Sequence, residues 1–174
     1  MHQDYAEQGS VLTRQQEALD GSRVHGEAAI RLAALEQRYT TSRRALVETL
    51  ARAGRPLTTP EILQTVDRAS ISSTYRNLTV LCEADVARRI SGADDIARFE
   101  LAEDLGGHHH HLVCSSCGTM EDVEASPKLE RAIAEAARQA SELKGFEVRN
   151  HRIDFEGLCT SCLAKTDGHR SPRK

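Results

Sequence analysis

Two CxxC pairs, Cys114–Cys117 and Cys159–Cys162, and a run of four histidines from His108 to His111 are the residues of this chain best equipped for chemistry. Cysteines at this spacing on a tight turn offer two thiolates to one ion. Two such turns, brought together by the fold, supply the tetrahedral four-thiolate set that closes a structural zinc site. A dithiol redox switch is the competing reading, and inert buried thiols are a third. Disulfide pairing is the weaker explanation in a reducing cytoplasm, where this chain is expected to reside. Cys82, the remaining cysteine, reads as a small apolar filler on a helix.

The histidines carry a different signal. In an extended strand successive side chains point to opposite faces. His109 and His111 therefore share one face, and His108 and His110 share the other, so that one strand can feed two metal sites. A remnant of a purification tag would sit at a terminus. A merely solvated polar strand is the bland alternative, and Cys114 following in register argues against it. Each pair needs ligands from other segments. Glu130 and His151 are candidates to join His108 and His110, and Glu100 and Asp122 to join His109 and His111. A lone acid on a helix is, however, ordinarily a surface charge.

Elements must exist to hold these groups. Residues 1–27 are polar and aperiodic, and are expected to form a flexible extension. Ile30, Leu32, Leu35 and Tyr39 then fall near helical spacing. Ser42 is a natural cap for a helix carrying Leu46, Val47 and Leu50 and ending at Gly54. Thr59 as N-cap, with Pro60 in the first helical position and Glu61 at the positive end of the dipole, opens the next helix. A third, capped by Ser72 or Ser73, runs through Tyr75, Leu78 and Leu81. Three short helices with tight connections describe a helix-turn-helix. The β-like runs "VARRI" and "ARFEL", split by "SGADD", add a wing.

At 103–107 the composition shifts through "EDLGG", a hinge. Beyond it lie a strand "HHHLVC", a knuckle, a strand "MEDVE" and an amphipathic helix. That helix is capped by Ser126, has Pro127 in its first position, and offers Leu129, Ile133, Ala136, Ala137 and Ala140 for packing. A long strand "FEVRNHRIDFEG" follows, with an irregularity near His151. The expected fold class is α+β: a winged helix-turn-helix domain over 28–102, then a small α/β dimerisation domain over 108–163. Its apolar strands are able to pair with a copy of themselves, and residues 164–174 are expected to be a flexible tail.

Composition narrows the class. A chain of 174 residues with 3% aromatics and no tryptophan has little material for a large core. Structural zinc, worth on the order of 10 kcal/mol, would compensate. No run approaches the roughly 18 apolar residues of a membrane span, and the N-terminus lacks a basic-then-apolar leader, so a cytoplasmic protein with no membrane partner is expected. The net charge of −3 does not suggest a nucleic-acid binder. Residues 31–90, however, hold ten arginines against six acids, an excess of four positive charges. Arginine suits phosphates and guanine edges, although an ordinary solvated face would look the same.

The ordered motifs "SSTYRNLTVL", "ARFEL", "HHHHLVCSSCG" and "GFEVRNHRIDFEGLCTSC" resemble the ferric uptake regulator superfamily of bacterial metal-dependent repressors, from about Tyr39 to Cys162. The resemblance implies a winged helix, a dimerisation domain, and a homodimer on palindromic double-stranded operator DNA. It also implies a structural Zn²⁺ at Cys114, Cys117, Cys159 and Cys162, in agreement with the spacing. Glu100, His109, His111 and Asp122 match a regulatory site on the hinge side, and His108, His110, Glu130 and His151 a second site. Tyr75 and Arg76, with Ser73 and Thr74 beside them, match the DNA-reading helix. Arg43 matches an arginine that meets phosphate.

The chain also departs from the family pattern. Iron- and peroxide-sensing members take a further ligand, a histidine, where this chain has Arg55, and no histidine occurs from 26 to 107. Zinc-sensing members lack it too, but place cysteine where Glu100 stands. His110 occupies a slot where iron regulators have aspartate, and nitrogen there suits zinc. The expected function is a zinc-responsive repressor. An iron- or manganese-responsive regulator (Fe²⁺ or Mn²⁺) and a thiol-based redox regulator are the alternatives. A storage or chaperone protein would bind metal without preferring DNA. Enzymatic activity is not expected: four cysteines close the knuckle, and the HxE…PCxxC pattern of zinc deaminases is absent.

Overall fold

The computed structural model describes residues 21–66, 70–91 and 94–167. The chain divides into two units, one running to Ile90 and resuming from Ala97 to Gly106, the other made of Ser91–Ile96 and the chain from Gly107 onward.

In the first unit, helix α1 (residues 21–34) precedes α2 (Thr41–Ala53), a short strand β1 (Leu57–Thr58), α3 (Thr59–Thr65) and α4 (Ile71–Glu83). Strands β2 (Ala87–Ser91) and β3 (Ala97–Leu101) and a single-turn helix α5 (Glu103–Gly106) complete it. The sheet order is β1-β3-β2. This is the expected winged helix, with β1 as a third strand that the sequence does not announce. Its core joins Leu46, Val47 and Leu50 of α2, Ile62 of α3, Leu78 and Leu81 of α4, and Phe99 and Leu101 of β3.

Three expectations shift at the front of this unit. The supposed flexible extension is helical from residue 21, and Val24 joins Ala28 and Leu32 in the core. The buried stripe of α1 therefore runs through those residues, leaving Ile30 and Leu35 exposed; residues 1–20 lie outside the described chain. Each helix is also capped earlier than the sequence suggests. Thr40, not Ser42, caps α2; Thr58, not Thr59, caps α3; and Ser70, not Ser72 or Ser73, caps α4. In every case the preferred hydroxyl has extended backbone and reaches the amide three residues on, which the downstream residue, already helical, cannot do. Gly54 ends α2 in the left-handed conformation, φ 58°, as expected.

The hinge is shorter than the composition shift. Residues 103–106 form α5, Leu105 is buried, and Asp104 is paired with Arg31 of α1. The first unit thus ends at Gly106, and Gly107, with φ 91°, adopts a backbone that a side chain would strain.

In the second unit, β4 (His110–Cys114) and β5 (Met120–Val123) form a hairpin, α6 (Pro127–Lys144) crosses over, and β6 (Asp154–Gly157) leads to α7 (Thr160–Asp167). The sheet order is β5-β4-β6, with β5 antiparallel and β6 parallel to β4. Helix α6 begins as expected, with Ser126 as cap and Gly145 closing it in the left-handed region. The long strand expected from 146 does not form. Residues 146–153 have no regular structure, and the strand is only Asp154–Gly157. Asn150 accepts a local bond from the His151 amide at 2.7 Å, which competes with ladder pairing. The tail assignment also moves, since α7 continues to Asp167; residues 168–174 lie outside the described chain. No helix is long and apolar enough to cross a membrane, among the described residues.

At the start of α3, Thr58 and Glu61 form a reciprocal capping box, and Arg55 lies 2.7 Å from Glu61. Burial raises the Glu61 carboxyl, but the hydroxyl and amide of Thr58 and the Arg55 guanidinium outweigh it and hold the pKa below the ordinary value. Glu61→Gln, which can still close the capping box, should therefore lower stability at neutral pH by roughly 0.2–1 kcal/mol, the range for a solvent-screened charge pair. The carboxylate's contribution is complete above the unfolded-state pKa and drains as pH falls through the lower folded-state value. The difference from the parent in denaturant melts should accordingly shrink on acidification.

Candidate metal centres

The two CxxC turns meet. Cys114 ends β4, Cys117 follows on the knuckle turn, Cys159 precedes α7 and Cys162 sits in its first turn, and their four sulfurs lie within 4.8 Å of one another. Cys117 Sγ is 3.7 Å from Cys159 Sγ. Tetrahedral zinc with bonds of about 2.3 Å requires sulfur separations of about 3.8 Å, so the quartet fits that ion. Amides from Cys159, Cys117 and Ser116 point at Cys114 and lower its thiol pKa to about 6. A hydrogen bond with Thr119 lowers that of Cys117. These donors favour the thiolates of Cys114 and Cys117. At Cys162 a hydrogen bond with Ser116 lowers the pKa, but the neighbouring thiols outweigh it and push the pKa up to about 11.

The histidines fall on two sides, although the strand expected from 109 begins only at His110, and residues 108 and 109 precede it without regular structure. On one face, His108, His110 and His151 converge on Glu130 in the first turn of α6. Their Nε2 atoms lie 3.3, 2.8 and 3.4 Å from its carboxylate oxygens. Bonds of about 2.0–2.1 Å to a tetrahedral ion would place neighbouring ligand atoms about 3.4 Å apart. His151 Nε2 is buried and has no hydrogen-bond partner among the described residues, an imidazole nitrogen facing a carboxylate without a bond of good geometry. His110 is 1% exposed. Its hydrogen bond holds the Glu130 carboxyl below the usual range.

On the other face, His109 and His111 stand edge to face, ring centres 5.2 Å apart, beside Asp122 of β5. Register pairs His111 with Asp122 directly. Both Nε2 atoms lie 3.9 Å from Asp122 oxygens, too far for hydrogen bonds and suited to an ion between them. Both Nδ1 atoms are engaged elsewhere, His109 with the Gly107 carbonyl at 2.9 Å and His111 with Asp154 at 3.2 Å. Asp154 is a residue that the sequence did not single out. Its contact follows from the parallel β4–β6 register, which opposes His111 and Asp154. Burial raises the Asp154 carboxyl, but Arg152 and His111 outweigh it, and its pKa falls. Glu100 lies on β3 of the first unit, where Arg88 donates to it at 2.8 Å.

A family model described as "Ferric uptake regulator family" matches residues 34–156, most of the chain. The chain belongs to that family. The Fur family comprises metal-dependent, DNA-binding transcriptional regulators rather than enzymes, and this is the class of the present chain. The Bacillus subtilis ferric uptake regulation protein is 30% identical over 96 residues, which span 55% of this chain and 61% of that regulator. The Bacillus subtilis peroxide operon regulator is 27% identical over 132 residues, 74% of this chain and 86% of its own length. Among solved structures, the Helicobacter pylori ferric uptake regulator Fur, reported to have three functional metal binding sites, has a TM-score of 0.65 at 22% identity. The alignment covers 82% of this chain and 93% of that one. A zinc-bound manganese uptake regulator has a TM-score of 0.58 at 26% identity, covering 78% and 98%.

The DNA-reading residues expected in a Fur-family chain divide by exposure. Tyr75 is 44% exposed, its ring edge-on to Phe99, and Arg76 is exposed on the same helix. Thr74 is a correction: at 2% exposure it sits on the face of α4 that carries Leu78 and Leu81 and packs inward. A residue four before Leu78 shares its face, so the helical period decides against a DNA contact. Ser73 is half-buried and donates its amide to the Ser70 cap at 3.2 Å. Arg43 is a brace within the unit, its guanidinium donating to Asn77, the Arg38 carbonyl and Gln37.

Proposed function

We propose that this chain is a homodimeric, zinc-responsive transcriptional repressor of the Fur family. The observation that carries the reading is the alternation of four histidines, His108 to His111, between two acid-completed clusters on the two sides of the segment that leads into and opens β4. Cys114, Cys117, Cys159 and Cys162 hold a permanent zinc that closes the knuckle. Glu100, His109, His111 and Asp122 are the regulatory ligands, and His108, His110, Glu130 and His151 form a second site. The three metal sites reported for the Helicobacter pylori relative support this count.

Glu100 belongs to the winged helix and the other three regulatory ligands to the second unit. By sharing one divalent ion, which supplies positive charge and fixed coordination angles, these four residues restrict the angle between the units. A preference of about 1–3 kcal/mol for the DNA-competent arrangement raises operator affinity roughly 5- to 150-fold. Tyr75 and Arg76 then meet the major groove in each half of a palindromic site, while exposed arginines of the same unit meet phosphates. Dimer formation through the second unit is supported by its exposed Leu112, Phe146, Phe155, Leu158 and Leu163, and by β6 at the sheet edge.

Zinc is favoured by the nitrogen-rich second cluster and by Arg55, which is bound to Glu61 where iron sensors carry a histidine. Manganese or iron is the second reading, favoured by the two carboxylates among the proposed regulatory ligands and by the likeness to a manganese uptake regulator. Operator affinity measured across buffered Zn²⁺, Fe²⁺ and Mn²⁺ separates them: zinc should tighten binding at the lowest free concentration. Tightening only by iron or manganese would reverse the assignment.

His109→Ala combined with His111→Ala should leave a folded dimer that retains its knuckle zinc, while metal no longer tightens its grip on DNA. Metal-dependent binding in that variant would refute the regulatory assignment. Arg76→Ala should weaken DNA binding and reduce its salt dependence with metal content unchanged. Loss of bound zinc there would count against its role.

A further inference from the structure

We propose that Asp154 is a positioning residue for metal capture: its carboxylate fixes the His111 ring so that Nε2 alone faces the ion. The inference rests on the regulatory reading of the His109–His111 cluster.

Asp154 is set opposite His111 by strand register and bonded to it by its side chain. The His111 amide donates to the Ile153 carbonyl at 3.4 Å, and the register sets Asp154 opposite His111. Asp154 Oδ1 then stands 3.2 Å from His111 Nδ1. An ionised carboxylate can only accept, so Nδ1 is the nitrogen that carries a proton, and in the neutral ring the lone pair is left on Nε2. That nitrogen is the one facing Asp122. The His111 side chain is 2% exposed, leaving its ring little freedom to turn. Asp154 is itself held by Arg152, whose Nε lies 3.1 Å from Oδ1 and whose second guanidinium nitrogen lies 2.6 Å from Oδ2.

The two histidines of the cluster are consequently unequal. His109 leans on the neutral carbonyl of Gly107, whereas His111 leans on a charged acceptor. A carboxylate behind an imidazole orients it and raises the basicity of the far nitrogen, and loss of such a partner commonly weakens metal affinity about 10- to 100-fold. The plainer account is that Asp154 merely pairs with Arg152 at a strand edge. That account predicts no effect on the metal site, which makes the two separable.

The test uses the full-length dimer with its knuckle zinc, in a background carrying His108→Ala and His151→Ala so that only one histidine cluster can fill. Co²⁺ is titrated against a chelator and followed by its visible absorption. Asp154→Ala should weaken Co²⁺ about 10- to 100-fold and shift the absorption band, with knuckle zinc and the melting temperature before Co²⁺ addition unchanged. Asp154→Asn, which retains an oxygen acceptor, should recover most of the affinity. Three results would overturn the proposal: Asp154→Ala binding within about twofold of its parent, equal losses in both variants, or a lowered melting temperature that accounts for the loss. If the parent itself captures no Co²⁺ at these ligands, the regulatory reading fails as well, and the silent parent distinguishes that case.

Discussion

A β-strand turns its side chains over at every residue, and the functional half of this molecule depends on that two-residue period. Four consecutive histidines cannot crowd one face when the backbone is extended. His110 and His111, the first two residues of β4, point to opposite faces, and His108 and His109 just ahead of the strand join the same two sides. Were residues 108–111 helical, successive imidazoles would fan around about one turn, and no neighbouring element could complete two separate sets. From His110 onward the extended conformation is secured on both edges of β4, by β5 on one side and β6 on the other.

Topology then supplies the acids. The antiparallel partner β5 sets Asp122 opposite His111, and the parallel partner β6 sets Asp154 against the same residue from the other edge. Parallel pairing requires a crossover, here supplied by α6. The first turn of that helix carries Glu130, to which His108, His110 and His151 converge. The element that makes the parallel strand possible thus also completes the second cluster. The knuckle closes the far end of the same sheet, because Cys114 terminates β4 and Cys159 follows β6. Strand pairing and ligand pairing are one constraint expressed twice.

Much of this was legible in the residues. Hydrophobic period and turn chemistry gave the helices and the wing, and CxxC spacing gave the knuckle. What stayed hidden has physical causes. The caps fell one to three residues early because several hydroxyls compete at each helix start, and only backbone conformation selects among them. Helix α1 extended into a segment that looks polar because three residues, Val24, Ala28 and Leu32, suffice to bury it. Thr74 looked like a DNA contact by its neighbours, but the helical period points it inward. Asp154 was invisible because its partner is 43 positions away, across a parallel register that no local pattern encodes.

Arg55 shows how one substitution narrows the chemistry of a whole family pattern. Its guanidinium is spent on Glu61 and on the Pro56 carbonyl, inside the cap of α3. A guanidinium stays protonated across the accessible pH range and offers no lone pair to a metal. Whatever ion this chain senses must be held without help from that position. Under the proposed assignment, the ligands that remain are two imidazoles and two carboxylates, a set of intermediate hardness that excludes few divalent metals by affinity alone. Selection then falls to geometry, that is, to how firmly each ligand is aimed before the ion arrives. A set short of one ligand gains more from a rigid imidazole than a fuller set would, and the residue best placed to supply that rigidity is the carboxylate behind His111.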